Sequence, residues 1–170
     1  MSIQAVAKMG NQQLATPSEI IQDLDKAKSL LLTLIQDMKD TMDALGGVGI
    51  AAPQIGYNQR VIMFGFEDNH RYPAEDPVPF TVLINPVIKH LSDEMVDAWE
   101  GCLSVPGLRG KVGRYQHIEY GGYDPEGRWI SRIASGFHAR VVQHECDHLD
   151  GILYPQRIKD MRFFGFEDAL

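Results

Sequence analysis

The chain has 170 residues, a length that fits one domain, and its 44% hydrophobic and 23% charged residues are those of a globular protein, which excludes collagen-like, mucin-like and disordered classes. The 16 Lys and Arg against 23 Asp and Glu leave a net charge of −7, so the basic surplus that phosphate neutralisation demands of a nucleic-acid binder is missing. Cys102 and Cys146 are too few for a disulfide framework, MSIQAVAKMGNQQL lacks the apolar core of a secretory leader, and residues 30–35 are too short an apolar run to span a bilayer. The expectation is a soluble, cytoplasmic chain in a reducing compartment, folded as one catalytic domain over 1–170.

In chain order, the first element opens at Thr16-Pro17-Ser18-Glu19, where Thr at the N-cap, Pro at the first helical position and Glu at the third make a capping box. Apolar residues then recur at gaps of three and four through Ile20, Leu24, Ala27, Leu31, Leu34, Met38, Met42 and Leu45, and Gly46-Gly47 supplies the stop. A helix over 17–45 would be about 43 Å long and lie along the outside of the domain. Runs rich in β-branched and aromatic residues predict strands over 60–66, 80–84, 87–91, 95–99, 116–124 and 129–134. Asp124-Pro125-Glu126-Gly127 turns between the last two as a hairpin. Residues 67–79, with three prolines and four acidic residues, read as an exposed loop. A second helix starts near Ser135, aligns Phe137, Val141, His144 and His148 on one stripe, and ends by Gly151 and Pro155. The fold class is α+β: short, mostly antiparallel strands around the helix that carries the histidines, with a long N-terminal helix.

That second helix carries His144-Glu145-Cys146-Asp147-His148, an HExxH. Side chains at i and i+4 share a face, so both imidazoles can reach one metal ion, and Glu145, about 100° round the helix, can touch water beside it. The pattern also occurs on plain polar helix faces. A third ligand decides the class. A metzincin would place His where Tyr154 stands; a thermolysin-like protease would use a downstream Glu, and Glu167, 19 residues after His148, lies near the chain end with no helix to present it. Upstream, Glu100-Gly101-Cys102-Leu103-Ser104 offers a thiolate, although an isolated cysteine is as readily a packed thiol. Cys146 points about 200° away from His144 and is assigned to packing. In Gly47-Val48-Gly49-Ile50-Ala51-Ala52-Pro53-Gln54 the glycines permit close approach of a ligand, Val48 flanks Gly49, and Gln54 offers an uncharged amide donor suited to an oxyanion. It is neither a dinucleotide loop nor a Walker A loop, since Ala52 and the following residues break both patterns.

Together these stretches resemble the three motifs of the peptide deformylases, GxGxAAxQ, EGCxS and HExDH, in that order, complete here as GVGIAAPQ, EGCLS and HECDH. The similarity is close over residues 47–150, and the expected α+β elements suit that family. The resemblance implies a bacterial-type hydrolase that removes the N-terminal formyl group from formyl-Met of newly made polypeptides and releases formate. It implies that Cys102, His144 and His148 hold one divalent metal ion, ferrous iron, for which nickel, cobalt or zinc can substitute. A metal-bound water would attack the formyl carbon, with Glu145 as general acid–base residue and with Gln54 and the Leu103 N–H stabilising the oxyanion. Val48, Gly49, Phe137 and Val141 are the expected substrate-binding residues, Phe137 and Val141 because they precede His144 on its own stripe. The partners implied are N-formylmethionyl nascent peptides, met at the ribosome, with no nucleic-acid motif and no membrane. Arg140 stands where a relative could carry an aliphatic residue, at the rim of the substrate groove. The 22 residues after His148 leave no room for the long C-terminal helix of some relatives. A non-catalytic relative that binds nascent chains is the other reading, against which the intact Glu145 weighs.

Overall fold

A computed structural model describes residues 2–68 and 72–170. The long helix, α1, spans Leu24–Ala44, and Asp23 caps it by accepting the Lys26 N–H at 3.0 Å. It does not begin at the Thr16 box. The backbone donors there are committed elsewhere: the Ser18 N–H bonds the Leu149 carbonyl at 2.8 Å, and Glu19 forms a parallel bridge with Gln59. The 21 residues of α1 give about 31 Å rather than the longer rod. One face buries Leu31, Leu34, Met38 and Met42 against Ile50, Val61, Met63 and Ile84, while Leu30 and Leu32 stay exposed. Burial of such side chains stabilises by about 1.5–3 kcal/mol each, and this face, not intrinsic propensity, seats the helix.

Eight strands follow among the described residues: β1 (Gly49–Ala51), β2 (Val61–Phe66), β3 (Val78–His90), β4 (Met95–Cys102), β5 (Val105–Tyr115), β6 (His117–Tyr123), β7 (Trp129–Ser135) and β8 (Phe164–Phe166). They form a five-stranded sheet in the order β1-β2-β3-β6-β7 and a three-stranded sheet in the order β4-β5-β8, with every pairing antiparallel. The strands expected over 80–84 and 87–91 are one strand with a bulge. Asn85 takes φ 51 there, and its side chain accepts the Ile21 N–H and donates to the Ile21 carbonyl, which locks the approach to α1 onto the sheet. The hairpin between β6 and β7 closes as expected, with the Asp124 carboxylate accepting the N–H groups of Glu126 and Arg128. Within 67–79, residues 69–71 lie outside the described residues, and β3 begins at Val78, earlier than the loop reading allows.

The second helix, α2 (Gly136–Leu149), packs Val141, Val142, Cys146 and Leu149 against Ile62, Phe64, Leu83, Ile118 and Tyr120 of the larger sheet. A separate cluster of Leu14, Val105, Val112, Leu153 and Tyr154 packs beside Cys102. Among the described residues no helix is long and apolar enough to cross a membrane.

Candidate active site

The first motif lies on β1 and the short helical turn Ala52–Ile55 after it, the second at the end of β4, and the third on α2. β1 and β4 are each an edge strand of their own sheet, so the two edges flank the face of α2 that carries His144 and Glu145. The resulting cleft is lined by Val48, Gly49, Gln54, Cys102, Leu103, Phe137, Val141, His144 and Glu145, so nine of the ten residues singled out from sequence share it. His148, the tenth, is fully buried behind them.

One ligand atom from each of Cys102, His144 and His148 falls within 4.8 Å of the other two. The Cys102 sulfur is 3.3 Å from His148 Nε2, and the Ser104 N–H donates to that sulfur at 3.4 Å. Burial holds the His148 pKa well below the ordinary histidine value, which keeps its imidazole neutral. Burial pulls His144 the same way, but hydrogen bonds to Cys102 and Glu100 outweigh it and raise its pKa well above the ordinary value. The Cys102 sulfur, the buried Glu100 carboxylate and the neutral His148 imidazole offer electron pairs to a positive charge placed between them. The donor set fits a divalent metal of borderline softness.

Glu145 is buried, and burial raises its pKa to about 7, the range suited to a group that both takes and gives a proton near neutral pH. Its Oε2 is buried without a hydrogen-bond partner among the described residues. Gly49 is required beside it, because a Cβ at that position would collide with the Glu145 carboxylate. Gln54 is held at both ends of its amide: Oε1 accepts the Ala51 N–H at 2.8 Å, and Nε2 donates to Ser104 Oγ at 3.1 Å and faces the Cys102 sulfur at 3.6 Å. Cys146 lies apart, within the core cluster, where burial pushes its thiol pKa up.

Several residues of the site went unassigned in the sequence. Glu100 accepts from Arg114 through both oxygens at 2.8 and 2.9 Å, from Arg140 at 2.7 Å, and pairs with His144 Nδ1 at 2.8 Å. Burial raises the Glu100 pKa, but Arg114 and His144 outweigh it and hold the carboxyl well below the usual carboxylate range. Arg114 in turn donates to Asp147, which also accepts both donors of Arg157, at 3.0 and 2.6 Å. Arg140 is not an exposed rim residue. Only 6% exposed, it donates to Glu100 and to the Val112 and Val96 carbonyls while forming part of the cleft wall. Tyr72, from the segment read as an exposed loop, packs on Phe137 with ring centres 4.8 Å apart and planes tilted by 46°, and borders the cleft. A sequence signal was available for Glu100 alone, since it stands in the second motif two residues before Cys102, and a charge buried there must be paired.

Comparison with known proteins agrees with this arrangement. Residues 3–163 match the family described as polypeptide deformylase. The chain is 56% identical over 168 residues to a peptide deformylase of Ralstonia nicotianae, covering 99% of this chain and 94% of that protein. One from Bordetella pertussis matches with the same identity and coverage. A crystal structure of the class I type b peptide deformylase of Acinetobacter baumannii superposes with a TM-score of 0.88 at 38% identity, covering 94% of this chain and all 100% of that one. The same Acinetobacter enzyme bound to Met-Ala-Ser gives 0.84 at 36% identity, covering 92% and 100%. The chain belongs to the peptide deformylase family, hydrolases that remove the N-terminal formyl group from nascent polypeptides.

Proposed function

We propose that residues 1–170 work as one catalytic domain in which Cys102, His144 and His148 hold a single divalent metal ion beside Glu145. The observation that carries this is the convergence of the three ligand atoms within 4.8 Å of one another. When bound, such an ion acidifies water and polarises a carbonyl oxygen. Glu145 takes a proton from the attacking water and passes it to the departing nitrogen, so that the formyl amide and water become formate and a free amine. The Gln54 amide and the Leu103 N–H donate to the oxygen on which negative charge develops. Gly49 lets the substrate backbone approach β1. Val48, Phe137 and Val141 form the apolar wall for the methionine side chain, in keeping with the Acinetobacter relative crystallised with Met-Ala-Ser.

Ferrous iron is the proposed working ion, with nickel, cobalt or zinc able to occupy the same borderline Cys-His-His set. The substrates are N-formylmethionyl nascent peptides met at the ribosome in the cytoplasm. Metal analysis of protein purified without oxygen, paired with formate release from a formyl-Met peptide, tests the reading. The wild-type protein and Cys146→Ala should carry one ion per chain and release formate, whereas Cys102→Ala should do neither. Equal metal retention in both variants would refute the ligand set.

A further inference from the structure

The segment before α1 carries none of the three motifs, yet its backbone bonds to the first two and to the residue that follows the third. The Ala7 N–H donates to the Gln54 carbonyl at 2.8 Å, the Met9 N–H to the Ser104 carbonyl at 2.8 Å, and the Ser18 N–H to the Leu149 carbonyl, one residue past His148. Val6 packs into the cluster under α1, while Ala7 and Leu14 pack beside Cys102, so the segment also spans two apolar clusters. The first two bonds close a ring with the Gln54 side chain. Ala7 holds the main chain of Gln54, Gln54 Nε2 rests on Ser104 Oγ at 3.1 Å, and Met9 holds the main chain of Ser104. N–H groups two residues apart in extended chain point the same way, about 6.5–7 Å apart.

We propose that Ala7 to Met9 is a spacer that sets the separation of the first and second motifs and thereby aims the Gln54 amide. Met9 and Ala7 are then positioning residues, and the proposal rests on the reading of Gln54 as an oxyanion donor. Lys8 to Asn11 is a turn closed by the Asn11 N–H to the Lys8 carbonyl at 3.0 Å, with Gly10 at φ 103, the pattern of a type II turn in which Met9 holds the position that favours proline. Met9→Pro therefore keeps the turn while removing the N–H and setting the ring Cδ against the Ser104 carbonyl, which pushes Ser104 away.

The experiment measures kcat and KM for a formyl-Met-Ala-Ser peptide, with metal content and thermal midpoint, in Met9→Pro, Met9→Ala, Gln54→Ala and the Met9→Pro/Gln54→Ala pair. Met9→Ala keeps the N–H and should match wild type. Met9→Pro should lower kcat by at least about three- to tenfold, one lost hydrogen bond together with the displacement of Ser104, with KM within about twofold and metal retained. Gln54→Ala should lower kcat further, and Met9→Pro should add nothing in that background. Ala7→Pro, which deletes the other donor, should give the same kcat signature if Met9→Pro fails to accumulate. A Met9→Pro enzyme as fast as Met9→Ala, beside a slow Gln54→Ala, overturns the spacer alone. An undiminished Met9→Pro effect in the Gln54→Ala background, or a change in KM only, overturns it as well. A Gln54→Ala enzyme with normal kcat overturns the oxyanion reading and the spacer with it.

Discussion

The Glu100 carboxylate sits 2.8 Å from Nδ1 of His144 while two buried arginines hold its other face. A carboxylate on Nδ1 fixes the ring's orientation and turns Nε2 toward Cys102, so a residue two positions before Cys102 orients a proposed ligand on α2.

Glu100→Gln is expected to weaken metal binding by about 10- to 100-fold, the usual effect of losing a carboxylate behind a ligating histidine. The same change leaves the Arg140 guanidinium without its buried counter-charge and Arg114 with Asp147 alone, so the thermal midpoint should fall too. Competition with a chelator reads the affinity. An unchanged affinity would reduce Glu100 to a structural ion pair.

Gly49→Ala should separate the glycine's two roles. The added methyl displaces the Glu145 carboxylate but reaches none of the three ligand side chains among its nearest neighbours. Metal content is expected to hold while kcat falls at least tenfold, as for a displaced general base. Loss of metal together with activity would mean that Gly49 shapes the ligand set and not the proton path.

Much of this site could be read in the sequence, because spacing alone put His144 and His148 on one helical face and motif order added Cys102 and Gln54. The fold was less accessible. A capping box at Thr16 obeys local rules, but Ser18 and Glu19 are claimed by Leu149 and Gln59, partners far away in sequence. β5 escaped notice because Gly107, Gly110 and Gly113 dilute its apolar pattern; Gly110 is there because a Cβ would strike Ile158. The partners of Glu100 and the position of Tyr72 could not be read, since both depend on strand registers and loop paths that place distant residues together.

Val141→Phe should narrow the proposed methionine pocket. Val141 is buried in the cleft wall beside Phe137, so the larger ring projects into the space an unbranched side chain would use. The ratio of kcat/KM for formyl-Met over formyl-Ala peptides is expected to drop by about 10-fold or more, on the scale of one to two methylene groups of pocket discrimination. An unchanged ratio would make Val141 a core residue only.

The central claim is that Glu145 moves protons beside a metal it does not hold, and Glu145→Gln tests it most directly. Metal content and formate release are measured on the same anaerobic preparation. The account predicts one ion per chain, as in the wild type, with kcat reduced about 10²- to 10⁴-fold. A variant that keeps near-normal kcat, or one that loses the ion, would contradict it.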